Sequence, residues 1–564
     1  MSDTPSLFDH AFVRRPRVWL VLICIFYLIV ALNFAVQTPP WQAPDEPAHY
    51  NYIAHIAEQG TLPVLHMGDY DEDYRGYLVS KHFPPNESVA SLRYESYQPP
   101  LYYLLGAIVY RVSAGSLLGV RLLNVLLGLG VLLLLYFTLE MVFPDKPMIV
   151  IGATAFTAFL PMHVAVTAAV TNDILAELLV IAQLTTLLTW MRGQLHHRQH
   201  DSLSERDSNE IEVSGAPLPA RDSLYTRQPA MLLLLGLLLG LGLLTKIYTY
   251  AMVPLCVLAI ISITWLQERR WRGLRRGLSD SVYIVVPAIL LGLPWWLRST
   301  RLYGPWDFLG LRWHDQVVAG QPTTSEWIAQ YGFVPYSERA FSLTFQSFWG
   351  VFGWLGVFMD QRIYTALLIG SGVLFLGLLW SLIRLISGRP DTDLDDYQRS
   401  VLVVFALMVA VVTASYIWYN TKFVQHQGRY FFWGILPIST FVALGWREVM
   451  RPLQGTITGI LATILAAALA FTGYVGGSLN KWTILTIGLF ALPLLLQPLL
   501  FIGYDGYTLL WLPTSIQKLL ARRSVARVSQ FLRLAVWLAP YLLLILLNLL
   551  IPTLYLLPQL ARHR

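Results

Sequence analysis

Charge is scarce in this chain: only 13% of its 564 residues are Asp, Glu, Lys or Arg, while 55% are hydrophobic. That balance excludes an ordinary soluble domain. Cysteine is nearly absent. Cys24 and Cys256 both fall inside apolar runs, which argues against a disulfide framework and a thiolate metal site. No Gly-x-Gly-x-x-Gly or Walker sequence stands at a strand–helix junction, so a water-soluble nucleotide sugar has no domain to bind it. Alternating segments of the barrel type are also missing.

What the chain has instead is apolar runs of about 18 residues or more, recurring from end to end and each long enough to span a bilayer. The expected fold is an all-α polytopic membrane protein with about thirteen transmembrane helices. Val18–Val36 reads as a retained signal anchor. Arg14, Arg15 and Arg17 precede it, which puts the N-terminus in the cytoplasm and the loop 37–118 outside. Spans follow at about Gly119–Glu140, Ile149–Val166, Ile174–Met191, Met231–Thr245, Thr249–Leu266 and Val282–Leu297. Arg192–Gln228, with His196-His197-Arg198-Gln199-His200, reads as a flexible cytoplasmic loop. Arg269–Arg276 carries five arginines in eight residues and marks the cytoplasmic side most clearly. Basic turns at Arg384–Arg399, Arg447–Arg451 and Lys518–Arg527 fall on that side too. Pro99–Val112 could span, but crossing would put the arginine-rich loop outside. It is read as a re-entrant or surface-lying helix whose tyrosines suit the interface.

On this topology the unusual polar residues collect at the external ends of spans. Asp45, Glu46 and His49 occupy Pro44-Asp45-Glu46-Pro47-Ala48-His49-Tyr50. Gln98 precedes a double proline, Arg121 starts the second span, and Asp173 starts the fourth. Lys246 ends the fifth, Arg298 and Arg301 end the seventh, and Arg429 follows Gln427-Gly428. Asp45 is expected to cap a helix that buries Tyr52, Ile53, Ile56 and Ala57 and ends at Gly60, with His49 on the face of Asp45. Lone arginines at span ends often snorkel to headgroups. Their gathering on one face carries the functional reading. An ionised carboxylate beside a cavity can act as a general base. Nearby cations can hold a phosphate, with Arg298 the first choice because it follows Trp295-Trp296. Together they suit transfer of a group from a lipid phosphate to a hydroxyl.

Ala43-Pro44-Asp45-Glu46-Pro47-Ala48-His49, Gln98-Pro99-Pro100-Leu101-Tyr102-Tyr103 and Thr171-Asn172-Asp173 resemble the GT-C glycosyltransferases, above all protein O-mannosyltransferases and the aminoarabinose transferases of lipid A. The resemblance covers roughly residues 1–310, including the external loop 37–118, as a catalytic transmembrane module. Residues 311–564 hold another external loop and the C-terminal helices, and Gln427-Gly428-Arg429-Tyr430 extends the likeness weakly. Relatives commonly have His-Pro-Pro where this chain has Gln98-Pro99-Pro100. The resemblance implies a polyprenyl-phosphate sugar donor, a protein, lipid or glycan acceptor on the external face, and inversion at the anomeric carbon. It makes Asp45 the base with Glu46 beside it, and His49, Gln98, Arg121, Asp173, Lys246, Arg298, Arg301 and Arg429 substrate-binding. No cofactor is required by it. A divalent metal stays open, with Asp45, His49 and Asp173 as candidate ligands. Rival readings are a transporter or flippase, or a polymerase or ligase, of lipid-linked saccharides. Against a transporter, the spans are nearly free of charge at mid-depth, with Glu177 the nearest exception.

Overall fold

The structure, a computed structural model, describes residues 16–207, 228–268, 271–387, 394–500, 513–520 and 523–560. Among these, nine helices are long and apolar enough to cross a bilayer, or ten if one bent pair counts as a span. The described residues form a mostly helical integral membrane protein; their long helices alone do not reach the expected count of about thirteen. Three apolar helices are shorter: Leu101–Val112, Pro229–Leu243 and Lys481–Leu495.

In chain order the elements that build the site are α1 (Pro16–Gln37), α2 (Glu46–Gln59), α3 (Leu101–Val112), α4 (Leu117–Val142), α5 (Pro147–Phe159), α6 (Pro161–Thr167), α7 (Asp173–Asp207), α8 (Gln228–Leu243), α9 (Met252–Glu268) and α10 (Trp271–Tyr303). Then come α11 (Phe333–Gly350), a two-stranded antiparallel ribbon pairing Val351 with Phe358, α12 (Gln361–Ile386), α13 (Asp396–Asn420) and α14 (Ile435–Val449). A 3₁₀ turn, Gly428–Gly434, precedes α14.

Three sequence expectations change. The third span is not straight: α5 and α6 meet at 63°. Pro161 opens α6, removes a donor and holds Leu160 extended at ψ 114°, so the helix cannot run through. Arg192 begins no loop, because α7 continues to Asp207; 208–227 and the side chains of the histidine tract lie outside the described residues. The arginine-rich run is mostly helix, with α10 starting at Trp271 and 269–270 outside the described residues. Arginine propagates a helix well, and nothing after Trp271 breaks it before Pro287. Parts of two other basic turns, 388–393 and 521–522, also lie outside the described residues.

The bundle has two distinct ends. At one, Arg276 pairs with Glu268 at 2.6 Å, Arg384 with Glu448 at 2.9 Å and Arg451 with Glu448 at 3.2 Å. There Gln398 Nε2 also donates to the carbonyl of Val142 at the end of α4. At the other end, Arg121 at the start of α4 donates to the carbonyls of Ala35 and Thr38 at the end of α1. The segment between therefore leaves and returns at one end. Within it α2 and α3 form a hairpin, with Arg111 Nε on the Ala57 carbonyl at 2.8 Å. Leu101 N meets the Leu244 carbonyl, so α3 starts and finishes at this end and does not cross. Helix packing is close: at Gly377 a Cβ would sit 2.1 Å from the Gly445 carbonyl oxygen, so only glycine lets α12 and α14 approach this far.

Candidate active site

Asp45 stands at the start of α2 in the left-handed region, φ 66°, a conformation Asp tolerates better than most residues. It makes no capping bond. This corrects the expected role: the twist turns its carboxylate away from the helix N–H groups. Oδ1 accepts from the Tyr94 hydroxyl at 3.0 Å and Oδ2 from Arg429 Nη2 at 2.7 Å. Burial pushes the Asp45 carboxyl up, and the Arg429 guanidinium more than offsets this, holding it below the usual carboxylate range. The rest of α2 is as the sequence implies, with Tyr52, Ile53, Ile56 and Ala57 buried and Gly60 closing the helix at φ 70°.

Glu46 has a different environment from Asp45. It is fully buried. Arg121 Nε and Nη2 grip it at 2.8 and 2.7 Å, and the N–H groups of Trp41 and Val170 donate to it at 3.1 and 3.2 Å. Arg121 spends its remaining donors on the carbonyls of Ala35, Thr38 and Pro39. Both side chains are thus committed to joining α1, α2, α4 and the α6–α7 link.

His49, one turn into α2, contacts the Tyr103 hydroxyl through Nδ1 at 2.9 Å, and Asn172 donates to that hydroxyl at 3.4 Å. Tyr103 stacks on Tyr52 with centroids 3.7 Å apart. Burial lowers the His49 pKa, although the Glu95 carboxylate opposes the shift, so the imidazole is neutral at pH 7. Asp173 opens α7 and pairs with Lys246 Nζ at 2.6 Å, with Thr171 Oγ1 on its other oxygen at 3.0 Å. One turn on, Glu177 meets His163 at 2.9 Å, both fully buried.

Arg429 sits within electrostatic reach of both Asp45 and Asp173, which makes these two ion pairs one cluster. It reaches a site on the first half of the chain from the second half. Its backbone is pinned: Gly428 N donates to Ser347 Oγ at 2.8 Å, and a Cβ on Gly428 would lie 2.3 Å from Phe348 N. Arg429 also lines a small cavity of about 40 Å3 with Phe34, Gln42, Met162, Val166 and Phe352. Arg429 Nε and Gln42 Nε2 are buried and find no acceptor in the protein.

Arg298 and Arg301 are elsewhere. They line an open cleft of about 500 Å3 with Val64, Pro294, Leu297 and Leu302. Arg298 Nη2 is held by the carbonyls of Leu62 and Pro63 at 3.2 and 2.7 Å, and its guanidinium lies over Trp295 at 4.9 Å. Arg298, the first choice for the phosphate from sequence, is thus apart from the carboxylates, and the cations paired with Asp45 and Asp173 are Arg429 and Lys246. Gln98 is buried, its Nε2 on the Tyr97 hydroxyl at 3.2 Å.

Among the described residues no three His, Cys, Asp or Glu side chains are grouped to hold a metal ion. Asp45, His49 and Asp173 do not fit that role, because the carboxylates already carry cationic donors. Sequence reasoning missed Gln42, Tyr94, Glu95 and Tyr248, whose hydroxyl donates to the Asp173 main-chain carbonyl at 3.2 Å. Glu95 offered one signal, an acid set among aromatics in Tyr94-Glu95-Ser96-Tyr97 just before Gln98-Pro99-Pro100.

No protein-family model matches the chain, and no curated protein does. Among solved structures it is similar to ArnT, the aminoarabinose transferase of Cupriavidus metallidurans, bound to undecaprenyl phosphate. The TM-score is 0.45 at 15% identity, over 94% of this chain and 77% of that one. The apo form of the same protein gives 0.41 at 13% identity, with the same coverage. An Archaeoglobus fulgidus oligosaccharyltransferase tethered to an acceptor peptide gives 0.42 at 14% identity, over 86% of this chain, which spans only 57% of that protein's length. The chain is thus a mostly helical polytopic membrane protein with a limited likeness to membrane glycosyltransferases over most of its length.

Proposed function

We propose that this protein is a membrane glycosyltransferase that moves a sugar from a polyprenyl-phosphate donor to an acceptor hydroxyl, with inversion. The observation that carries the reading is the Asp45–Arg429 pair beside an apolar-walled cavity, with Arg429 Nε and Gln42 Nε2 both lacking acceptors. A buried guanidinium with an open N–H suits an incoming phosphate. The charge rule supports an external site, since the opposite end of the bundle holds Arg276, Arg384 and Arg451.

The donor phosphate competes with Asp45 for Arg429. Once the guanidinium turns toward it, Asp45 Oδ2 is free to take the proton of the acceptor hydroxyl. The acceptor oxygen attacks the anomeric carbon from the face opposite the phosphate. The new C–O bond forms as the sugar–phosphate bond breaks, and the electron pair leaves on the phosphate. Arg429, with Lys246 nearby, stabilises that growing charge more in the transition state than in the ground state. Glu46 and Arg121 hold the scaffold. His49 and the Tyr103 hydroxyl fix the wall of the site. Purified protein incubated with a panel of polyprenyl-phosphate sugars tests this: release of free polyprenyl phosphate that depends on Asp45 is expected. Absence of release from wild type across the panel, with acceptors supplied, would overturn it.

A further inference from the structure

Unmet hydrogen-bonding atoms lie on two sides of the ion-pair cluster, with further unmet acceptors on Asn172 and Gln427. Toward the small cavity they are donors, Arg429 Nε and Gln42 Nε2. On the turn Tyr94–Tyr97 and the residue that follows it they are acceptors. Glu95 Oε2 and Gln98 Oε1 are buried and receive no donor from the protein. Glu95 is only 9% exposed and Gln98 only 5%, so bulk water reaches neither well. A buried carboxylate oxygen without a partner is costly and rare. A ligand that brings donors would remove that cost.

Glu95 lies within electrostatic reach of His49, Tyr103 and Tyr419, and Tyr94 feels both Glu95 and Asp45. The turn is tied to the proposed base by contacts on either side of Glu95: the Tyr94 hydroxyl donates to Asp45 at 3.0 Å, and the Tyr52 hydroxyl, stacked on Tyr103, donates to the Gln98 carbonyl at 3.1 Å. The turn that carries Glu95 is aromatic, and Tyr97 packs on His314 with centroids 4.3 Å apart. Aromatic faces and a carboxylate acceptor together suit a polyhydroxylated ring. They do not suit a phosphate, which would add like charge beside Glu95.

We infer that Glu95 and Gln98 form the subsite for the transferred sugar, accepting hydrogen bonds from its hydroxyls while the phosphate faces Arg429. This rests on the transferase reading and adds an orientation and a specificity residue to it. The two poles of the site then match the two chemistries of one donor, hydroxyls at the acceptor pole and phosphate at the donor pole.

The test titrates the purified full chain with undecaprenyl phosphate and with undecaprenyl-phosphate glucose, mannose and arabinose, following tryptophan fluorescence. Wild type is expected to bind at least one sugar-bearing lipid about tenfold tighter than the bare lipid, the scale of hydrogen bonds to a charged group. Glu95→Ala should lose that margin and keep its affinity for undecaprenyl phosphate within about twofold, and Glu95→Gln should keep part of the margin. If Glu95→Ala does not survive purification, Glu95→Gln and Gln98→Leu carry the same comparison. Equal weakening toward both kinds of lipid would make Glu95 a scaffold residue and overturn the inference. So would an intact margin in the variants, or a wild type that prefers no sugar-bearing lipid. A wild type that binds neither kind of lipid overturns the transferase reading itself.

Discussion

Glu46 and Asp45 are adjacent in sequence, and substituting each in turn separates scaffold from chemistry. Glu46 is fully buried and takes four donors, two of them from one guanidinium. Arg121 is 3% exposed. Glu46→Gln removes the negative charge and at least one acceptor, leaving a buried guanidinium without its counter-ion. Breaking such a pair from one side costs about 3–5 kcal/mol, a large part of the 5–15 kcal/mol that ordinary domains have in total. The variant should therefore show a lower unfolding temperature in detergent and a smaller folded fraction. Activity per folded molecule should fall far less than the folded fraction. Thermal unfolding followed by tryptophan fluorescence, beside turnover normalised to the folded fraction, reads both quantities. Replacing both partners by apolar residues, Glu46→Leu with Arg121→Met, should not recover the loss, because the N–H groups of Trp41 and Val170 and the carbonyls of Ala35, Thr38 and Pro39 would then be stranded. An unfolding temperature unchanged in Glu46→Gln, with turnover gone, would refute this reasoning and return Glu46 to the chemistry.

Asp45→Asn should fold normally and lose about 10²–10⁴-fold in turnover, the usual range for removing a general base; near-normal turnover would remove Asp45 from that role. Arg429→Lys should cut kcat more than Arg298→Lys does, since lysine keeps charge but not the two-pronged grip, and the opposite order would move the phosphate to the open cleft. Burial raises the Asp45 carboxyl pKa but Arg429 holds it below the ordinary range. The acid limb of kcat/KM should therefore lie below that of an ordinary carboxylate, and the limb of kcat should lie at higher pH once Arg429 turns to the donor. Coincident limbs would exclude the exchange. Chelation with EDTA should leave turnover within about twofold, because cationic side chains already neutralise Asp45 and Asp173; loss restored by a divalent ion would contradict that. For topology, a cysteine at Gly273 is a poor probe, since its Cβ would meet the Thr264 carbonyl oxygen at 2.5 Å. Trp271, 74% exposed, is a better position: Trp271→Cys, in a chain freed of Cys24 and Cys256, should label only from the cytoplasm.

The membrane class and most span positions were legible because apolar run length is a one-dimensional signal. That Leu101–Val112 starts and finishes at one end of the bundle was legible through parity, since crossing would have put the arginines of α10 at the same end as Asp45. What composition hides is direction. The break at Pro161 and the helical start at Trp271 depend on local backbone geometry. In the site, Asp45, His49, Asp173, Lys246 and Arg429 were flagged and do come together. Their partners could not be read, because Arg429 lies 384 residues from Asp45. Glu46 and Asp45 look equivalent in sequence. The left-handed twist at Asp45 accompanies the difference: one carboxylate goes to Tyr94 and Arg429 and the other to Arg121 and the main chain.

The tight seat of Gly428 under Phe348 sets the tempo of the proposed exchange. With its main chain fixed there, Arg429 can pass from carboxylate to phosphate only by rotation about side-chain bonds, with no loop to open or helix to shift. Such hops take picoseconds to nanoseconds where a side chain is exposed. Here each one must first break the 2.7 Å contact with Asp45, so the rate at which the base is armed would follow the strength of that ion pair.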